Sequence, residues 1–231
     1  MPLDTQLIAG FPVFEGFAAQ DLALVLAEAR SVRFAKGAII FEQGAAANSF
    51  YLLLHGRVRA YRLTPDGQQI VVRFVGPGEL FGIAMAIGSQ TYPANAAAVV
   101  DSVVIVWPAA AWGKLVAQFP ALALNTMQTI GGRLQEAHTR MTEMATEEVT
   151  RRVAHTLLRL AQQAGRKTED GVLIDFPITR QDIAEMSSTT LHTVSRILSA
   201  WEQEGLVASG RQRVLLRDPH RIYLLAESSS K

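Results

Sequence analysis

Apolar and polar positions change rhythm along the chain, and each change marks a different kind of element. Residues 1–30 read as short helical pieces, clearest over Ala18–Leu26. From Ser31 onward glycine-bearing turns recur at short, regular intervals: Lys36-Gly37, Gln43-Gly44, His55-Gly56, Pro65-Asp66-Gly67 and Gly76-Pro77-Gly78. Between them lie the β-rich runs Ala38–Phe41, Phe50–Leu54, Arg57–Leu63 and Gln69–Phe74, and one further run, Asn95–Val106, precedes Pro108. Short strands evenly punctuated by turns predict an antiparallel barrel or sandwich.

The rhythm then lengthens. Between Phe119 and Ala145, Ala123, Met127, Ile130, Leu134, Ala137, Met141 and Met144 step by fours and threes, the a/d seam of a coiled coil on one long helix. Gly131 and Gly132 oppose that helix by about 1 kcal/mol each relative to alanine. The seam predicts a symmetric homodimer through paired helices, while part of such a surface can also pack on the chain's own β-domain. A second amphipathic helix, Glu147–Ala164, follows with Val149, Val153, Leu157 and Leu160 on one face. Residues 165–171 read as a polar loop and Val172–Phe176 as a strand. The domains expected are 1–118, 119–146 for the connecting helix, and 147–231.

Residues 178–206 read as two helices joined by a tight turn. Thr179 and Asp182 form a variant capping box at the first, and Ser187-Ser188 break the pattern because their hydroxyls compete for backbone hydrogen bonds. The second helix runs from about Thr190 to Glu204 and stops at Gly205, a residue suited to a left-handed C-cap. Leu191, Val194, Leu198 and Trp201, widened by Ile197, supply its inner stripe. Thr190, His192, Thr193, Ser195 and Arg196 lead the other face, where short donors and a guanidinium suit base edges and phosphates. The apolar segments Leu206-Val207 and Val214–Leu216 flank a turn containing Arg211 and Arg213, a hairpin wing able to reach a DNA backbone. Acids nearly balance arginines here, so positive charge must be gathered on one face to serve phosphates.

The stretch TRQDIAEMSSTTLHTVSRILSAWEQEGLV resembles the C-terminal domain of the cAMP receptor protein/FNR superfamily of bacterial transcription regulators, and the resemblance extends over nearly the whole chain. It implies an α+β architecture: an N-terminal antiparallel β-roll like a cyclic-nucleotide-binding domain, a long dimerisation helix, and a C-terminal winged helix-turn-helix. It also implies that Ser195 and Arg196 contact bases and phosphate, that Thr190 and Thr193 contact the backbone, and that Arg180 and Gln181 contact phosphates from the first helix. His192 departs from the glutamate common there, which implies a different base preference in the half-site. The implied partners are palindromic double-stranded DNA, a second copy of the chain, a small effector, and RNA polymerase.

Gly78-Glu79-Leu80-Phe81-Gly82 resembles the opening of the family's nucleotide cassette. The positions that then supply a glutamate for ribose and an Arg-Ser pair for phosphate hold Ile83, Pro93 and Ala94, and the segment Ile83–Ile87, with Met85, is apolar. A phosphate buried there without a cation would cost several kcal/mol, which argues against cAMP. The expected effector is apolar or neutral, with haem a candidate and His55 or His138 as its conceivable ligands. The plainer alternative is a degenerate pocket filled by its own side chains in an effector-independent regulator. The resemblance is nearest to the cysteine-free, nitric-oxide-responsive group exemplified by the dissimilatory nitrate respiration regulator.

Composition changes the picture in two places. The chain has 231 residues, 49% hydrophobic and 19% charged, with a formal net charge of +1, so no global charge argues for nucleic acid. It has no cysteine, which removes disulfides, cysteine-held zinc and iron–sulfur clusters. No signal peptide or membrane span is expected, and the reading is cytoplasmic. A cupin-like metalloenzyme fused to a DNA-binding domain is the alternative of another class. It needs converging metal ligands, and no catalytic triad or phosphate loop is apparent, so no enzymatic activity is expected.

Overall fold

Strands β3 (Ser49–His55) and β8 (Ser102–Pro108) are apolar at almost every position because both of their faces are covered. Successive strand residues point to opposite faces. Phe50, Leu52, Ile105 and Trp107 face a core closed by Leu22, Val25 and Leu26 of helix α1 (Ala19–Ala27) and Leu115 of α2 (Ala111–Gln118). Tyr51, Leu53, Val104 and Val106 face a second core, shared with Val58 and Val75 of the opposite sheet. The Trp107 indole stacks on Phe50 and donates to the Val25 carbonyl at 2.8 Å, which fixes α1 against the sheet.

The computed structural model describes residues 4–228; residues 1–3 and 229–231 lie outside the described residues. Strands β1 (Arg30–Phe34), β2 (Ile39–Phe41), β4 (Val58–Leu63), β5 (Gln69–Val75), β6 (Leu80–Phe81) and β7 (Asn95–Ala98) complete two antiparallel four-stranded sheets, ordered β1-β8-β3-β6 and β2-β7-β4-β5. Two expectations change here. The run 95–106 is two strands in different sheets, because residues 99–101 turn the corner between them and Asp101 holds it by accepting the Lys36 N–H at 2.8 Å. The chain before α1 forms two 3-10 turns, Thr5–Leu7 and Pro12–Phe14.

Helix α3 (Pro120–Thr146) runs for 27 residues straight through Gly131 and Gly132. The chain divides within it, into Met1–Glu136 and Ala137–Lys231, earlier than the expected boundary near residue 146. The reason is packing: Leu122 and Ile130 of α3 join the β-domain core. The second unit comprises the rest of α3, α4 (Val149–Ala164), β9 (Gly165–Thr168), β10 (Gly171–Ile174), α5 (Arg180–Met186), α6 (Leu191–Gln203), β11 (Val207–Gly210), β12 (Arg213–Leu216) and α7 (Pro219–Glu227). Its sheet is ordered β11-β12-β10-β9. Strand β9 replaces the expected polar loop. Its backbone pairs with β10 while its side chains stay largely exposed, so no hydrophobic period betrays it.

Val153, Leu157 and Leu160 of α4 are fully buried. Leu157→Ala should therefore destabilise the second unit by about 2–5 kcal/mol, read as a lower urea midpoint in the fluorescence of Trp201, the one tryptophan of that unit.

Candidate DNA-binding surface and effector cavity

The expected capping box is present at α5: Thr179 Oγ1 accepts the Asp182 N–H at 3.0 Å, and Asp182 Oδ2 accepts the Thr179 N–H at 2.9 Å. Ser187 closes the helix by donating to the Ile183 carbonyl, and Ser188 takes a left-handed φ of 51° at the turn. Thr190 then caps α6 by accepting the Thr193 N–H at 3.1 Å. The inner stripe of α6 is Val194, Ile197, Leu198 and Trp201, all buried. Leu191, expected on that stripe, is the first helical residue and stays 47% exposed, so the stripe begins one turn later. On the outer face Thr190, His192 and Arg196 are exposed, while Thr193 and Ser195 are half-buried.

The wing is the hairpin of β11 and β12, with Arg211, Gln212 and Arg213 exposed at its tip and Gln212 at φ 60°. Gln181 is exposed, with Nε2 donating to Glu185 Oε1 at 2.9 Å. Arg180 is placed differently from expectation. Its Nη2 donates to Ser209 Oγ at 2.8 Å and lies 3.7 Å from Glu202 Oε2. Glu202 in turn accepts both the Ser209 N–H, at 2.8 Å, and the Ser209 hydroxyl. Arg180 thus joins α5, α6 and the wing. Sequence reasoning missed Glu202 and Ser209, having counted Glu202 only as an acid diluting the positive face. Pairing it with Arg180 leaves Arg196, Arg211 and Arg213 as exposed cations.

The β-domain encloses a cavity of about 240 Å³. Of the residues expected around an effector, Phe81, Gly82, Ile83, Pro93 and Ala94 line it; Gly78, Glu79, Leu80 and Met85 do not. Gly78 lies against the Phe11 ring, while Leu80 and Met85 belong to the core on the far side of β3. Gly82, at φ 63°, passes so close to the aromatic rings that a Cβ would sit 2.8 Å from Tyr51 Cδ2. Phe41, another wall of the cavity, stacks on Tyr92 with ring centroids 3.9 Å apart. The Tyr92 hydroxyl donates to the Ser49 carbonyl at 2.7 Å, and burial pushes its pKa up.

The expectation of a cavity without cations is overturned. Arg73 of β5 and Arg133 of α3 both reach its wall, from positions too far apart in sequence to form a motif. Glu79 stands behind them. Its Oε1 accepts the Gly76 N–H at 2.8 Å, and its Oε2 takes a direct ion pair from Arg73 Nη2. Arg133 Nη2 donates to the Leu80 carbonyl and lies 3.8 Å from that same Glu79 oxygen, beyond hydrogen-bonding reach. Burial lowers the Arg133 pKa to about 10, against an upward pull from Glu136, so the group is cationic at neutral pH.

Among the described residues no histidine, cysteine or methionine lines the cavity, and neither His55 nor His138 is part of its wall. The described lining thus offers none of the histidine, cysteine or methionine ligands that hold haem iron. Among the described residues no group of three or more His, Cys, Asp and Glu could hold a metal ion. Along α3, the β-domain portion exposes Leu124, Met127 and Leu134 and partly buries Ile130; the second unit's portion exposes Met141 and Met144 and half-buries Ala137. No helix of the described residues is long and apolar enough to cross a membrane.

Residues 31–119 match the cyclic nucleotide-binding domain family, and residues 151–224 match the Crp-like helix-turn-helix domain family. Over 209 residues the chain is 32% identical to the Cyclic AMP receptor protein of Thermus thermophilus, covering 90% of this chain and 94% of that protein. It is 29% identical to the nitrogen fixation regulation protein FixK of Bradyrhizobium diazoefficiens, covering 85% of this chain and 82% of the relative. The solved structure of FixK2 from Bradyrhizobium japonicum superposes with a TM-score of 0.77 at 25% identity, covering 87% of this chain and 99% of that one. These relatives are regulators rather than enzymes. A β-domain enclosing an effector-sized cavity, a long helix and a winged helix-turn-helix, matched in both domains, make this chain a DNA-binding transcription regulator of the Crp/Fnr family.

Proposed function

We propose that the chain acts as a homodimer on a palindromic operator, and that occupancy of the β-domain cavity by a small organic effector other than cAMP sets its operator affinity. The observation that carries the dimer is the bare seam of α3. Met127 is 69% exposed, Leu134 55% and Met141 62%, one heptad apart in turn. Coiled-coil partners bury such positions knobs-into-holes, and a two-fold axis along the seam would present two recognition helices to successive major grooves.

In each half-site His192, Ser195 and Arg196 read base edges and phosphate, Thr190, Thr193 and Gln181 hold the backbone from α5 and α6, and Arg211 and Arg213 hold it from the wing. Arg180 acts on phosphate only together with the Glu202 network that positions it. RNA polymerase would be the partner in activation, and the setting is the cytoplasm, where operator DNA lies. cAMP is disfavoured because Ile83, Pro93 and Ala94 line the cavity where the family's nucleotide cassette offers a ribose acceptor and a phosphate clamp. The Thermus thermophilus relative is named for cAMP; Ile83, Pro93 and Ala94 support a different ligand for this chain. The nitric-oxide-responsive placement through haem lacks an axial ligand in the cavity.

Selection of duplexes from a random library by the purified protein should return an inverted repeat whose half-site centres lie about 34–36 Å apart; enrichment of no repeat would overturn the reading. Leu134→Asp should shift the protein from dimer to monomer in sedimentation and weaken operator binding at least tenfold. Arg211→Ala should weaken binding to all sequences alike and lower the slope of log K against log salt by about one per protomer. Arg196→Ala, by contrast, should cost about 1–3 kcal/mol and relax preference at one base pair.

A further inference from the structure

The cavity is apolar over most of its wall and cationic at one end. Phe41, Val75, Phe81 and Ile130 present hydrocarbon, while Arg73 and Arg133 are the only charged groups in the lining among the described residues. A cavity of about 150 Å³ lined by Leu, Ile and Phe admits benzene, and drug-sized ligands occupy roughly 300–1,000 Å³. At about 240 Å³ this space fits one ring or a short branched chain bearing a small head group.

The two arginines are not equivalent. Arg73 has a direct ion pair with Glu79 Oε2, whereas Arg133 stands 3.8 Å from that oxygen and gives an N–H of the same terminal nitrogen to the Leu80 carbonyl. A guanidinium carries five N–H donors in a planar fork that matches a carboxylate in two parallel bonds. Holding that cation at an apolar wall costs desolvation energy, which a well-placed anion repays. Glu79 pairs with Arg73 and Glu136 acts on Arg133 from a distance, so the positive charge is already partly offset: one carboxylate can still be forked by Arg133, whereas a phosphate dianion would leave an excess of negative charge.

We infer that the ligand of this cavity is a small amphipathic monocarboxylate, its aryl or branched alkyl body lying among Phe41, Phe81 and Ile130 and its carboxylate forked by Arg133. This deepens the proposed effector reading and rests on it for its regulatory meaning. Arg133 immediately precedes Leu134 of the bare seam, so a ligand that draws on this guanidinium acts on the helix proposed to pair the two copies.

The test is calorimetric titration of the full-length protein with 3-phenylpropionate and 4-methylpentanoate, beside 3-phenylpropionamide and cAMP, with operator affinity measured in parallel. Saturable binding of at least one acid is expected, with the amide at least tenfold weaker than its acid. Arg133→Gln should weaken the acid at least tenfold. Should that variant fold poorly by circular dichroism, Ala94→Asp provides an independent check, since half-exposed Ala94 tolerates a carboxylate that repels the ligand's own. Equal binding of amide and acid, binding of cAMP alone, unaltered acid binding in both variants, or no uptake of either acid would each overturn the inference. Acid binding that both variants lose, with operator affinity unchanged throughout, would keep the ligand class and remove the effector reading. Operator affinity that responds to cAMP while both acids stay inert would overturn the ligand class and the exclusion of cAMP together, and leave only the cavity's regulatory role.

Discussion

Helix α3 must satisfy apolar surface on two sides, and the protein's architecture follows from how it does so. Leu122 and Ile130 are drawn into the β-domain core, and the same turns leave Leu124, Met127 and Leu134 without cover. A helix with a narrower stripe could dock on the β-domain and stop there. This one carries bare methionine, Met141 and Met144, past the division at residue 136. Helical geometry spreads the two sets: at 3.6 residues per turn Leu122 and Met127, five apart, point about 140° from each other, and Ile130 lies at the edge between them. The inner set ties α3 to the cavity and the outer set asks for a second chain. The cavity wall and the proposed dimer seam therefore share one helix.

Two glutamates do comparable work in the two domains. Glu79 gathers Arg73 closely and Arg133 loosely at the cavity; Glu202 gathers Arg180 and Ser209 beneath the wing. In each case one carboxylate decides which guanidinium is committed to structure and which is available to a ligand. Partly exposed ion pairs contribute little to stability, so their effect is chiefly on geometry. By holding Arg180 to Ser209, Glu202 orients the hairpin that presents Arg211 and Arg213. By leaving Arg133 at 3.8 Å, Glu79 keeps a cation facing the apolar space.

The contrast explains what was legible in the sequence. Periodicity exposed several elements whose side chains are sorted by burial: the doubly covered β3, the α3 seam, the inner stripe of α6 from Val194, and the Thr179–Asp182 cap, whose partners are three residues apart; it passed over α2, where only Ala111 and Leu115 are buried. It missed β9, which is a strand by backbone pairing alone, and it merged β7 with β8 because both are buried where a corner intervenes. It also placed Leu191 inside, since periodicity does not say where a helix end outruns its support. Among the proposed DNA contacts, Arg196 and the wing arginines stand exposed as residue type and spacing suggest. The commitment of Arg180 was hidden because Glu202 and Ser209 are distant in sequence.

The cavity carries the same lesson furthest. Local reading saw Ile83, Pro93 and Ala94 where a nucleotide cassette has charge, and concluded that the space was neutral. The three residues do line it, yet the charge has not vanished: it enters from β5 and α3 instead of from the cassette. Relocating a cation changes which ligand fits, because its distance from the apolar wall fixes how far head group and body are separated. Arg133 also transfers the electrostatic contact from a β-domain loop to the helix itself. A ligand held by the loop would have to move α3 through side-chain packing, whereas one held by Arg133 bears on it directly. On the proposed reading, Ile83, Pro93 and Ala94 in the cassette together with Arg133 on the helix suit this cavity to a different class of signal.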